Sequence, residues 1–422
     1  MFNLIKQWGI GVVDLVNNVL DPYDDFTRIF LPPDMQFSLK TKADLFAEQY
    51  RKEFRTANGL TRYNRANPAN NWEVEDVGDQ AVHHGLATAA LAFGHAAGDV
   101  PSDDVFTAAK AIRALFVNGK LIRGVHPAPA PDVPSLFEDD ASNDSASGAL
   151  CGIFFASRYG KPDAGCEGID NIRSLADELL ANNYSLVKQD GSNTTYGKLI
   201  NGILTDPQRS SLALAILRSA HIMTGDPKYR GPFETLYKKY GALLRFAEFK
   251  FLDYTKSHEV HRCAIHLHIL AELAHGDAGL AERCAGGLER IWKLNRKTRD
   301  PWIAALVNRW WRIPDAEMRD VVHRLHEYPS AGKPPPREAI NSAKADYWKD
   351  RGVKFLTVNG NVRASQPLPY HMIPTQDFWP QRHPFMCDGF AGANDTFIRH
   401  NAVDFLAPYY LLRVQGVIKA DE

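Results

Sequence analysis

The stretch from Glu73 to Gly98, EVEDVGDQAVHHGLATAALAFGHAAG, decides how the chain is read. A polar, acidic, glycine-containing entry leads into a long Ala, Leu and Phe run that stops at a glycine, which is the pattern of a buried helix with a chemically active mouth. The spacing predicts a helix that starts near Asp79.

The same pattern recurs along the chain. SNDSASGALCGIFFASRYG enters at Asp144 and ends at Gly160, and LTDPQRSSLALAILRSAHIMTG enters at Asp206 and ends at Gly225, with Pro207 suited to a first helical turn. DYTKSHEVHRCAIHLHILAELAHG runs from Asp253 to Gly276, RDPWIAALVNRWW enters at Asp300 ahead of Pro301, and ANDTFIRHNAVDFLAPYYLLRVQG enters at Asp395 and ends at Gly416. A unit of this size that keeps returning predicts a repeat architecture in one large domain.

Between these apolar helices lie more charged amphipathic ones, at Asp103 to Phe116, Asp170 to Ala181, Pro232 to Phe246, Ala278 to Leu294 and Pro314 to Leu325. Two concentric layers demand this alternation, because the inner layer is covered on its outside while the outer layer meets water on one face. The run from Lys42 to Phe54, with Leu45, Phe46, Tyr50 and Phe54 at helical spacing, supplies a partner for the last inner helix. Six pairs result, so the expected fold is all-α, an (α/α)6 toroid or six-hairpin barrel. The Asp-Gly of SLVKQDGSNTTYGKL and the Asn359-Gly360 of VKFLTVNGNVRA add short β-hairpin insertions.

Residues 1–40 are expected to pack on this core or on a partner in a larger assembly, and residues 41–422 to form the toroid. A long Pro- and aromatic-rich loop or hairpin insertion is placed at about 328–386; loops of that length usually carry function. The N-terminal MFNLIKQWGIGVVDLVNNVL carries Lys6 and Asp14 and lacks a signal-peptide cleavage pattern, and no run of about 18 apolar residues marks a membrane span. No compartment is implied: the cytoplasm, a virion and export by another machinery all stay open.

Lys plus Arg number 49 against 50 Asp plus Glu, so no net positive field selects a nucleic acid. The five cysteines are scattered and form no CxxC pair, which argues against a zinc site or a disulfide framework. HEVHR, at His258 to Arg262, is one residue short of the HExxH zinc helix, so neither a metal nor a cofactor is expected.

In order and spacing, GLTRY at Gly59 to Tyr63, GDQAVHHGL, LIRGV at Leu121 to Val125, DASNDSASGALCG, LANNYSLVKQDG and the closing NAVDFLAPYYLLRV resemble (α/α)6-barrel proteins related to six-hairpin glycosidases and toroid polysaccharide lyases. The resemblance spans about residue 45 to the C-terminus. It implies a carbohydrate-active protein with a cleft where the inner-helix entries meet, acting on a polysaccharide or oligosaccharide. It does not fix the reaction, since one fold hosts many.

Glycoside hydrolysis needs two carboxyl groups facing one cleft, one to protonate the leaving oxygen and one to activate water or attack. Asp79 and Asp144 are the first choices and Asp76 and Asp395 the next, each weighed against a role as a helix N-cap. A uronate lyase instead needs a His or Tyr base and a cation to neutralise the carboxylate, for which His84, Tyr254 and His258 are the bases and Arg262 the cation. Two adjacent histidines on a helix point in different directions, so one of His83 and His84 is expected to reach the cleft. Trp72 and Trp379, in polar loops, are candidate sugar platforms, while Trp302, Trp310, Trp311 and Tyr409-Tyr410 divide between platform and core. His83, Arg123, Tyr370, His371 and Arg382 complete the expected substrate contacts. A third expectation, from another class, is a non-catalytic glycan-binding or virion assembly scaffold.

Overall fold

The computed structural model describes residues 37–62, 64–65, 79–126, 137–202, 205–252, 257–328, 355–358, 361–364 and 399–422. The described chain is mostly helical. In chain order its α-helices are α1 (Leu39–Gln49), α2 (Gln80–Ala96), α3 (Ser102–Ala111), α4 (Asn143–Tyr159), α5 (Pro162–Ala181) and α6 (Pro207–Thr224). They continue with α7 (Arg230–Tyr240), α8 (Ser257–Glu272), α9 (Ala278–Asn295), α10 (Pro301–Asn308), α11 (Asp315–His326) and α12 (Val403–Val414).

The even-numbered helices are the apolar ones, buried along almost all of their described length, whereas odd-numbered helices such as α3 and α9 bury one stripe. Each even helix packs on the next, α2 on α4, α4 on α6, α6 on α8, α8 on α10 and α10 on α12, and α12 returns to α2. The odd helices lie against them: α3 on α2, α5 on α4, α7 on α6, α9 on α8, α11 on α10 and α1 on α12. Buried Lys42 in α1 donates to the carbonyls of His326 at 2.6 Å and Tyr328 at 2.8 Å, which fastens the first helix to the end of α11.

The packing of α2 on α4 sets the position of both helix mouths. A Cβ on Gly85 would fall on the Gly148 backbone, one on Gly148 would fall on Val82, and one on Gly152 would lie 2.8 Å from the Gly85 Cα. The two helices touch backbone to backbone, and only residues without side chains allow it. Their N-terminal ends are thereby drawn together.

Helix entries differ from expectation in detail. Asp206 and Asp300 are N-caps whose side chains accept from Arg209 N and from Trp302 N and Ile303 N. Asp144 is not a cap: Ser142 takes that place through a reciprocal bond with Ser145, because a hydroxyl three residues back reaches the free amide. The helix expected from Asp253 is described from Ser257, Asp253 lying outside the described residues, and the last one starts at Val403 rather than at Asp395, which lies outside them too.

Antiparallel strand pairs interrupt the helices. β1 (Asn64–Arg65) pairs with β10 (Arg399–His400), joining the segment ahead of α2 to the one ahead of α12. Short pairs join β2 (Phe116–Val117) to β3 (Lys120–Leu121) and β4 (Gly124–Val125) to β5 (Phe137–Glu138). Two hairpins complete the set, β6 (Ser185–Val187) with β7 (Asn193–Lys198), and β8 (Phe355–Val358) with β9 (Asn361–Ala364). Val358 faces Asn361 across Asn359-Gly360, as the Asn-Gly signal requires. No helix among the described residues is long and apolar enough to cross a membrane.

Candidate functional site

A cavity of about 460 Å³ opens where the first turns of α2, α4, α6, α8 and α10 meet. Asp79 and His83 reach it from α2, Asp144 and Ser147 from α4, and Arg209 from α6. Glu259, His261 and Arg262 face it from α8 and Trp302 from α10, while Arg123 and Tyr196 border it from the β-hairpins. Tyr196 is 60% exposed, an aromatic face open to solvent at the rim.

Asp79 occupies the N-cap position of α2, yet its side chain caps nothing. Its carboxylate instead meets Arg123 at 3.3 Å. Arg123 is placed by the backbone around it: Ala81 N donates to Arg123 O at 3.2 Å, Arg123 N to Glu138 O at 2.7 Å and Val125 N to Gln80 Oε1 at 2.8 Å. The β4–β5 pair is thus laced to the first turn of α2, which carries its arginine to Asp79.

Asp144 pairs with Arg262, a guanidinium almost wholly buried. Burial pulls Arg262 down to about 9, against the opposing pull of Cys263 and Asp79, so it stays cationic at neutral pH. Arg262 therefore feels the charge of Asp79 while it binds Asp144, and the two carboxylates share one electrostatic neighbourhood. Neither serves as a helix cap.

On the opposite wall, His261 Nε2 donates to Asp300 Oδ2 at 2.6 Å, and Asp300 Oδ1 accepts from Trp302 N at 2.9 Å and Ile303 N at 3.1 Å. Burial works against the Asp300 carboxylate, but His261 and the two amides outweigh it and hold its pKa below the usual range. With Nε2 carrying the proton, Nδ1 of His261 is the basic nitrogen. Arg209 meets Asp206 at 3.5 Å and adds a third guanidinium to the lining.

Of the site residues expected from sequence, Asp79, Asp144, His83, Arg123 and Arg262 come together at this cavity. His84 does not. Its Nε2 donates to Ala108 O at 3.0 Å, and its Nδ1 accepts from the Thr61 hydroxyl at 3.1 Å, itself 2.8 Å from Tyr50 Oη. Burial depresses His84 to about 4, and its ring joins α2 to α3 as a neutral structural link. One residue on a helix turns the side chain by about 100°, which is why His83 faces the cavity and His84 the neighbouring helix. His258 lies in the first turn of α8. Asp76, Asp395, Tyr254, Trp72, Tyr370, His371, Trp379 and Arg382 lie outside the described residues.

Sequence reasoning passes over Glu259, Arg209 and the His261–Asp300 pair. HEVHR reads first as a broken zinc helix, although a Glu, His and Arg within one turn at a buried helix mouth is itself a signal. The α8 histidines meet different neighbours: His261 faces the cavity, His266 meets Ser211 at 3.0 Å and Ser147 at 2.9 Å, and His268 Nδ1 lies 2.9 Å from Leu306 O. Among the described residues no three His, Cys, Asp or Glu side chains converge to hold a metal ion.

No protein-family model matches the sequence, and no curated protein matches it. Among solved structures the chain is similar to the GH family 9 endoglucanase J30 and to a Zn-binding triple mutant of that endoglucanase. Each is 12% identical, with 91% of this chain and 85% of that chain covered and a TM-score of 0.48. The chemistry therefore rests on the cavity itself.

Proposed function

We propose that the chain is an (α/α)6 toroid, with α2, α4, α6, α8, α10 and α12 as its inner layer, and that it is a glycoside hydrolase acting on a polysaccharide. The single observation that carries this reading is the convergence of Asp79 and Asp144 on one cavity, each held by an arginine and neither spent on a helix cap. A glycosidic bond is cleaved when one carboxyl group protonates the departing oxygen and another activates water or attacks the anomeric carbon. Asp144 on Arg262 and Asp79 on Arg123 supply the two carboxyl groups for these roles, each oriented by its guanidinium. Tyr196, exposed at the rim, offers an aromatic face to the sugar rings.

A second reading, a uronate lyase, is favoured by His261 and Asp300. An imidazole fixed by a buried carboxylate is a general base in waiting, and Arg123, Arg209 and Arg262 surround the space where a uronate carboxylate would sit. The two reactions differ in their products. Incubation with a panel of neutral and acidic polysaccharides, following reducing ends together with near-ultraviolet absorbance, tests them: saturated ends support hydrolysis, and absorbing unsaturated ends support elimination. Binding without any cleavage would leave a glycan-binding scaffold.

A further inference from the structure

A second recess, of about 410 Å³, lies on the outer wall between α9, the 3₁₀ turns of Gly241–Leu252 and the turn after α10. Trp310 and Trp311 stand along it, beside Arg245, Glu282, Glu289 and Arg290, and Ala285 and Gly286 of α9 form its floor. Trp302 borders the catalytic cavity at the start of α10, whereas Trp310 and Trp311 come after its end, about 12 Å further along the axis at 1.5 Å per residue. The recess is therefore separate from the cavity.

Trp310 N and Trp311 N both donate to Val307 O, at 2.8 and 3.0 Å, which closes the backbone turn that carries them. The Trp310 indole donates from Nε1 to His268 at 3.2 Å, with the two rings edge-on and their centroids 5.8 Å apart, while Arg309 lies over the Trp310 ring at 5.7 Å and Lys293 over the Trp311 ring at 5.9 Å. Both rings remain only partly buried. Around them Arg245, Arg290 and Lys293 stand beside Glu282 and Glu289, with Lys293 on Glu289 at 2.7 Å. Arg245 meets Glu282 at 2.5 Å, and Arg290 donates to Arg245 O at 3.2 Å. A polycation finds no net opposite field there. A neutral ligand with an apolar ring face and many hydroxyls does find what it needs, a flat aromatic surface flanked by planar donors and acceptors. A Cβ at Gly286 would meet nothing within 4 Å, so the floor is open to such a ring.

We propose that this recess is a second saccharide-binding site, which takes a neutral sugar stretch of a polysaccharide on Trp310 and Trp311. The site rests on the carbohydrate reading of the protein and adds to it a surface that holds the glycan away from the point of cleavage.

Trp311→Ala removes one partly buried ring, and Gly286→Gln extends into the recess from a helix position where a Cβ meets nothing within 4 Å. Native gels cast with a soluble β-glucan, a mannan or a xylan measure retention, and cleavage of short oligosaccharides measures the cavity. Both variants are expected to lose retention by about tenfold or more, equivalent to about 1.4 kcal/mol, with short-substrate cleavage unchanged. Wild-type retention in both variants, with the cavity active, overturns this site and leaves the proposed function standing. Absence of retention and of cleavage in the wild type overturns both. Gly286→Gln guards the result should Trp311→Ala lose its fold.

Discussion

His261 Nε2 and Asp300 Oδ2 lie 2.6 Å apart across the seam between α8 and α10, so one carboxylate caps a helix and fixes an imidazole at the cavity wall. Asp300→Asn keeps an oxygen for the Trp302 and Ile303 amides but turns a donor toward His261. The expected cost is about 1–3 kcal/mol of stability, read as a lower melting temperature. If hydrolysis runs through the aspartates, turnover falls by less than about tenfold, because His261 is then wall and not base. A fall of about 10² or more in a folded variant would instead assign His261 the proton transfer.

The glycine contact between α2 and α4 gives a prediction about stability. Gly85→Ala places a methyl group on the Gly148 backbone, which cannot yield as a side chain does, and should cost about 3 kcal/mol or more. Gly286→Ala, in a helix position with open space around it, should stabilise by about 0.5–1 kcal/mol. Chemical denaturation of the two variants compares them directly. Equal effects would contradict the backbone contact.

Acid should destabilise the fold through its buried histidines. Burial depresses His84, His268 and His326 from 6.5 to about 4, and His266 from 6.5 to about 3. As pH falls below 6.5 the unfolded chain takes up protons that the folded chain refuses, so stability drops until the folded pKa values near 4 are reached. Two acids work the other way: burial raises Asp404 to about 6 and raises Glu178, so each binds its proton earlier in the folded state. Four histidines against two acids leave a net loss on acidification. Urea titrations between pH 7 and pH 4 check the sign, with about 1.4 kcal/mol per proton per pH unit, and His84→Asn should flatten the slope by about one proton.

Much of this architecture is legible in the chain because burial writes itself into composition. Ala-rich runs opened by Asp or Ser and closed by Gly mark α2, α4 and α6 to within a few residues, and Asn359-Gly360 marks the β8–β9 hairpin. The carboxylates Asp79 and Asp144 are legible for the same reason, since both stand at helix mouths. What composition does not encode is direction. His83 and His84 are equivalent in sequence and diverge only once the helix is built. Arg209, Glu259 and the His261–Asp300 pair depend on which helices become neighbours. Gly85, Gly148 and Gly152 read as helix-weakening residues until α4 is laid against α2.

Whether Asp79 and Asp144 act together on a glycosidic bond is tested most directly by steady-state cleavage of whichever polysaccharide the wild type accepts, repeated with Asp79→Asn and Asp144→Asn. Melting temperatures measured alongside separate lost chemistry from the loosened Arg262 pair. Each variant is expected to lose about 10²-fold or more in kcat while still binding the glycan. Near wild-type turnover in both, or an unsaturated product from the wild type, would contradict the paired-aspartate mechanism.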